Sequence, residues 1–167
     1  MSQYNTADIR TDRLRFTKNK QSSGLILLSI AANALYFVSI YSSDVGGYYY
    51  RFFIVLSIVY NLIFMLTAFL ASEGVKNYKL SYAYTAIVLG VLQAARIFFI
   101  PLRAHREPNP VVGAETLTVM SGGQFRYVTV CLLISAALLI CAGVIGIRKS
   151  TVLSKYQAEL RQMNREG

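Results

Sequence analysis

Tryptophan is absent from this 167-residue chain, histidine occurs once, cysteine twice and proline three times. Each shortage removes a class of chemistry. A single histidine, His105, excludes bis-histidine haem ligation within one chain. No His, Cys and acid cluster has metal-ligand spacing. No Cys-x-x-Cys supports thiol exchange, and no glycine-rich phosphate loop opens a helix. Cys131 and Cys141 share one apolar run, point in different directions on a helix, and read as free, small hydrophobes. The sequence also has no Asn-x-Ser/Thr acceptor for N-glycosylation. Acids number 8 against 17 Lys and Arg. None falls inside an apolar run, so a carboxylate or histidine proton relay has no residues to work with. We therefore expect no enzyme, no metal and no cofactor.

What is present is hydrophobic length. The runs Gly24–Tyr41, Phe52–Ala71, Leu80–Leu102 and Tyr127–Ile147 are each close to the roughly 20 helical residues that cross a bilayer core. Arg96 is the one charged residue inside them. The expected fold is an all-α integral membrane protein, a four-transmembrane-helix bundle with a cytoplasmic C-terminal amphipathic helix. Residues 1–23 form a basic N-terminal segment, 24–147 the transmembrane domain with an external loop at 103–126, and 148–167 the tail. No cleavable signal is read ahead of the first run, which should act as a retained anchor.

The basic residues sort by compartment. Arg10, Arg13, Arg15, Lys18, Lys20, Lys76, Lys79, Arg148, Lys149, Lys155, Arg161 and Arg165 fall on one side of a four-span topology. Arg51, Arg103, Arg106 and Arg126 fall on the other. Lys and Arg are retained on the cytoplasmic face, so both termini are expected there, in the plasma membrane of a bacterium. The net charge of +9 follows from that retention and from attraction to anionic lipid, with no call for nucleic acid.

Local patterns add detail. Ile9, Arg13 and Phe16 fit a short interfacial helix, or a solvated tail. Tyr41, Tyr48 to Tyr50 and Tyr127 fit an outer aromatic belt, and Tyr78, Tyr82 and Tyr84 an inner one. The short loop Ser72–Lys79 makes spans two and three antiparallel neighbours. The external segment Arg103–Arg126 contains Pro108, Pro110, Gly113, Gly122 and Gly123, with a short strand conceivable at Thr116–Met120. Its length suits an extracytoplasmic contact surface. In the tail, Leu153, Tyr156, Leu160 and Met163 recur at helical spacing as a narrow seam, suited to docking on a protein or to lying on the inner leaflet.

Polar residues inside the runs are the candidate sites, because lipid offers no water to satisfy them. Asn33 and Asn61 lie near the centres of spans one and two, where they can hydrogen-bond across helices or line a polar path. Gln93 and Arg96, three apart, share a face of span three. Arg96 lies about 6 Å from the outer end by helical rise, close enough to snorkel to headgroups. A loop carboxylate (Asp44, Glu107 or Glu115) folding down over it is the preferred pairing. Ala142 and Gly146 form a small-xxx-small pair for close helix packing.

The expected function is a noncatalytic membrane subunit that stabilises or regulates a larger complex such as a transporter. Its partners would be the bilayer and other membrane or cytoplasmic subunits. The alternative is a small oligomeric channel or transporter for an anionic solute, with Arg96 and Gln93 beside Asn33 and Asn61; a homo-oligomer is compatible with both.

Overall fold

A computed structural model of the chain describes residues 18–41, 51–106 and 120–166. Among these, all regular structure is helical: α1 Lys20–Tyr41, α2 Arg51–Lys76, α3 Leu80–Arg96, α4 Pro101–Arg106 and α5 Gly122–Glu166. Four stretches are long and apolar enough to cross a membrane, namely Lys20–Tyr41, Val55–Lys76, Leu80–Arg106 and Gly122–Glu159. A multi-pass membrane protein is consistent with this set. The expected interfacial helix before Thr17, the tyrosines 48–50 and residues 107–119 of the external loop, with all but Met120 of the strand expected at Thr116–Met120, lie outside the described residues.

Short-range chemistry sets the helix ends. Asn19 caps α1: its Oδ1 accepts from the Ser22 backbone N–H at 3.4 Å, as a short amide does for an otherwise orphaned donor. The Asn19 N–H in turn donates to the last carbonyl of α2, Lys76 O, at 3.1 Å. At the end of α2, Tyr78 takes a left-handed φ of 58°. Lys79 N–H bonds to Gly74 O and Tyr78 N–H to Val75 O, the pairing of a Schellman C-cap. That cap reduces the connection to α3 to three residues and forces α2 and α3 antiparallel. Tyr78 is therefore a capping residue, its carbonyl accepting from Ser150 Oγ at 3.0 Å, and burial pushes its phenol pKa up. Tyr84 is exposed, whereas Tyr82 packs over Gly74, whose added Cβ would overlap the ring.

Three boundaries differ from the sequence reading. The third run is not one continuous helix. After Arg96 the chain tightens into i→i−3 bonds from Ile97, Phe98 and Phe99, and α4 restarts at Pro101. The cause is Pro101, which has no N–H to give Ile97 O; Leu102 supplies it instead at 3.1 Å. The tail is likewise not a separate element. No breaker follows Ile147, so span four and tail form one 45-residue helix, about 67 Å long at 1.5 Å per residue. The expected external loop is also helical at both ends, through Arg106 and from Gly122.

Contacts at each end fix the arrangement. Lys149 Nζ reaches Asn19 Oδ1 at 3.2 Å and Gln21 Oε1 at 2.8 Å, and Ser150 Oγ reaches Tyr78 O, placing α5 beside the starts of α1 and α3. At the opposite end Gln124 Nε2 donates to Ser39 O at 3.0 Å, and Met120 N–H to Ala104 O at 3.0 Å. Thus α1 and α3 run one way, α2 and α5 the other, and Lys20, Lys76, Lys79 and Lys149 gather at one end, the basic end. The first and last described residues belong to it.

Helix α5 is the centre of the packing. A Cβ on Gly143 would lie 2.8 Å from Ala83 O and overlap the Ile87 side chain, while one on Gly90 would meet Ala136 O at 3.0 Å. The two glycines let the backbones of α3 and α5 approach closely. Ala142 is fully buried, and a Cβ on Gly146 would meet Ala83 Cβ at 3.0 Å, so this pair also faces α3 within the bundle. Two apolar clusters result. One, toward the basic end, contains Ile26, Phe64, Ala71, Val75, Ala83 and Leu139. The other, under α4, contains Tyr36, Ile40, Ala104, Met120, Val128 and Leu132.

Candidate functional site: a buried arginine cluster

Between these clusters, α1, α2, α3 and α5 each contribute polar side chains to one layer. Counting rise from the basic end puts Asn33, Asn61 and Arg96 about 20, 22 and 24 Å along their helices. They share a level because α1 and α3 ascend while α2 descends. Sequence spacing alone placed Arg96 near the rim and the asparagines at mid-span. The structure brings them together.

Arg96 is 6% exposed, so its stem does not snorkel outward. Its Nη1 donates to Asn61 Oδ1 at 2.7 Å and to Asn33 Oδ1 at 3.3 Å. Asn33 Nδ2 donates to Asn61 Oδ1 at 3.3 Å. Gln93 Nε2 reaches Asn33 Oδ1 at 2.9 Å and Ser135 Oγ at 3.2 Å. Ser135 Oγ donates onward to Ser29 O at 3.0 Å, tying α5 to α1. The guanidinium lies over two rings, 4.4 Å from the Tyr36 centroid and 4.9 Å from that of Tyr60.

These contacts address a permanent cation in an apolar surround. Charge-assisted hydrogen bonds contribute about 1.5–3 kcal/mol each, and a desolvated cation–π contact about 2 kcal/mol. Arg96 also closes α3, where the helix dipole favours positive charge. All of these partners are formally neutral. Among the described residues no carboxylate lies within ion-pair distance of Arg96; the ion pair there is Lys76–Glu73, at the basic end. Asp44, Glu107 and Glu115, the carboxylates expected to cover it, lie outside the described residues. Four buried polar atoms of the cluster make no well-formed hydrogen bond: Arg96 Nη2, Asn61 Nδ2, Tyr36 Oη and Gln93 Oε1.

Sequence reasoning found Asn33, Asn61, Gln93 and Arg96 but not the rings. Tyr36 is three residues after Asn33 and Ser29 four before it, both on the Asn33 face; that spacing was the available signal. Tyr60 carried none, since its neighbour Asn61 points elsewhere on the helix.

Other predicted positions lie apart. His105, on α4 at the far end, stacks on Phe125 at 4.7 Å, and its Nδ1 lies 3.2 Å from Met120 O. Cys131 is buried and Cys141 exposed, both free. Of the tail seam, Leu153 is buried against the chain itself and Tyr156 half-buried; the side chains of Leu160 and Met163 lie outside the described residues. Among the described residues no three His, Cys, Asp or Glu side chains group as a metal site. Comparison with family models, curated proteins and solved structures finds no match to this chain.

Proposed function

We propose that the chain is a noncatalytic subunit of a larger membrane complex, of the transporter kind, which it stabilises or regulates. Its four helices would cross the bilayer with the basic end in the cytoplasm. The plasma membrane of a bacterium is the setting, a placement resting on the charge asymmetry and the lack of a glycosylation acceptor. Lipid exposure is supported by the bundle exterior, where Leu28, Leu62, Val88 and Val130 are all more than half exposed. Apolar surface on every side is what lipid, rather than water, accommodates.

The observation that carries the reading is the length of α5. From Arg148 to Glu166 it continues without a break, and the part past the buried Leu153 runs about 20 Å beyond the basic end. A protein bound to that extension would be joined by rigid helix to the Gly143 packing site and to Ser135 in the polar layer. Such a helix suits docking better than anchoring, because its exposed faces bear Lys155, Glu159 and Arg161 and little bulky apolar surface.

Removal of residues 157–167 is expected to leave the melting temperature of the bundle within about 2 °C of the parent, since surface changes cost little. Co-purification in mild detergent should lose the partner. A full-length protein always recovered as a stable, solitary monomer would overturn the reading. The conducting alternative has the Arg96 cluster in its favour, but apolar layers lie on both sides of that cluster, which opposes a path through one bundle.

A further inference from the structure

We infer that the Arg96 cluster is a binding site for one small inorganic anion, of chloride or nitrate size, held inside the four-helix bundle. The unspent groups define the ligand. Two of the four unpartnered atoms, Arg96 Nη2 and Asn61 Nδ2, are donors only, and a third, Tyr36 Oη, can donate or accept; each residue bonds or stacks with the same guanidinium or carries it. Donors left over around a cation call for an acceptor with negative charge.

Water alone does not meet that demand. It would satisfy the donors but, with no carboxylate among the described residues within ion-pair distance, leave a full positive charge in a low-dielectric interior, where an uncompensated ion is strongly disfavoured. An acid from a partner or a lipid headgroup has no evident approach, because Arg96 is 6% exposed, Asn61 1%, and Gln93 and Tyr36 fully buried. A large oxyanion calls for many donors at once, and here Nη1 is already committed to Asn61 and Asn33. A compact anion needs fewer donors. The remaining acceptor, Gln93 Oε1, suits a water accompanying that anion. This site does not depend on the partner proposed above, and its test uses the isolated protein.

Full-length protein in phospholipid-free detergent is melted in sodium gluconate while chloride or nitrate is titrated in. The expected result is a saturable rise in melting temperature of roughly 5 °C. Arg96→Gln should abolish the rise, and Arg148→Gln, on the exposed start of the extension, should keep it. Should Arg96→Gln fail to fold, Asn61→Asp provides an independent arm. It places a carboxylate on the atom that Arg96 already reaches at 2.7 Å. This variant should melt higher than the parent in gluconate and show no chloride response. A parent melting temperature indifferent to chloride and nitrate overturns the inference. So does an undiminished response in Arg96→Gln or Asn61→Asp, or a rise that requires added phosphatidylglycerol, which would make the ligand a headgroup phosphate.

Discussion

Replacing Gly143 with leucine is expected to force α3 and α5 apart and to cost the bundle about 3 kcal/mol or more. The first atom of the new side chain would sit 2.8 Å from Ala83 O and inside the Ile87 side chain. Ile87 can change rotamer; the carbonyl belongs to the backbone of α3 and cannot move without its helix. Gly90 makes the reciprocal approach about two turns along, against Ala136 O, so the displacement would open both contacts together. A melting temperature lowered by roughly 6–12 °C in detergent is the expected reading. Gly146→Ala is the graded control: its new methyl would meet Ala83 Cβ at 3.0 Å and Val75 Cγ1 at 3.1 Å, side-chain atoms that can yield. An unchanged melting temperature for Gly143→Leu would mean that α3 and α5 do not approach this closely.

The second large effect is at Asn61. Asn61→Leu removes the shortest hydrogen bond of the buried cation, 2.7 Å from Arg96 Nη1, and leaves Asn33 Oδ1 at 3.3 Å as its remaining bonded acceptor. Bonds to charged groups contribute about 1.5–3 kcal/mol, whereas neutral bonds between membrane helices average about 0.6 kcal/mol. Loss of the charged bond should therefore dominate, and a destabilisation of about 2 kcal/mol is expected. Asn61→Asp should move stability the other way. The opposite signs of two near-isosteric changes at one position separate electrostatics from packing. If Asn61→Leu proved neutral while Arg96→Gln also did, the cation would have no role in holding the bundle together.

Much of the architecture was legible because each signal is local. The number of candidate spans follows from four apolar runs of membrane-spanning length. The antiparallel pairing of α2 and α3 follows from a connection too short for anything else. The shared end of Lys20, Lys76 and Lys149 follows from counting crossings. Boundaries were less legible where one residue competes with a pattern. Pro101 lies inside an apolar run, and hydropathy does not register that it lacks an N–H; the break at Ile97–Ile100 is the consequence. In the tail the reverse holds. Polar composition after Ile147 suggested a separate helix, but hydrogen-bonding continuity is indifferent to polarity, and α5 continues.

By itself the sequence determined which residues carry unusual demands: an arginine among apolar neighbours, two asparagines and a glutamine, each needing a partner wherever it lands. Only the tertiary structure decided what those partners are. Depth along a single helix put Arg96 near the rim; the rotation of α3, set by the close approach of Gly90 and Gly143 to α5, turns it inward between Tyr36 and Tyr60. Helical rise and spacing are properties of one segment, whereas the direction a side chain faces is settled by which helix packs on the other side.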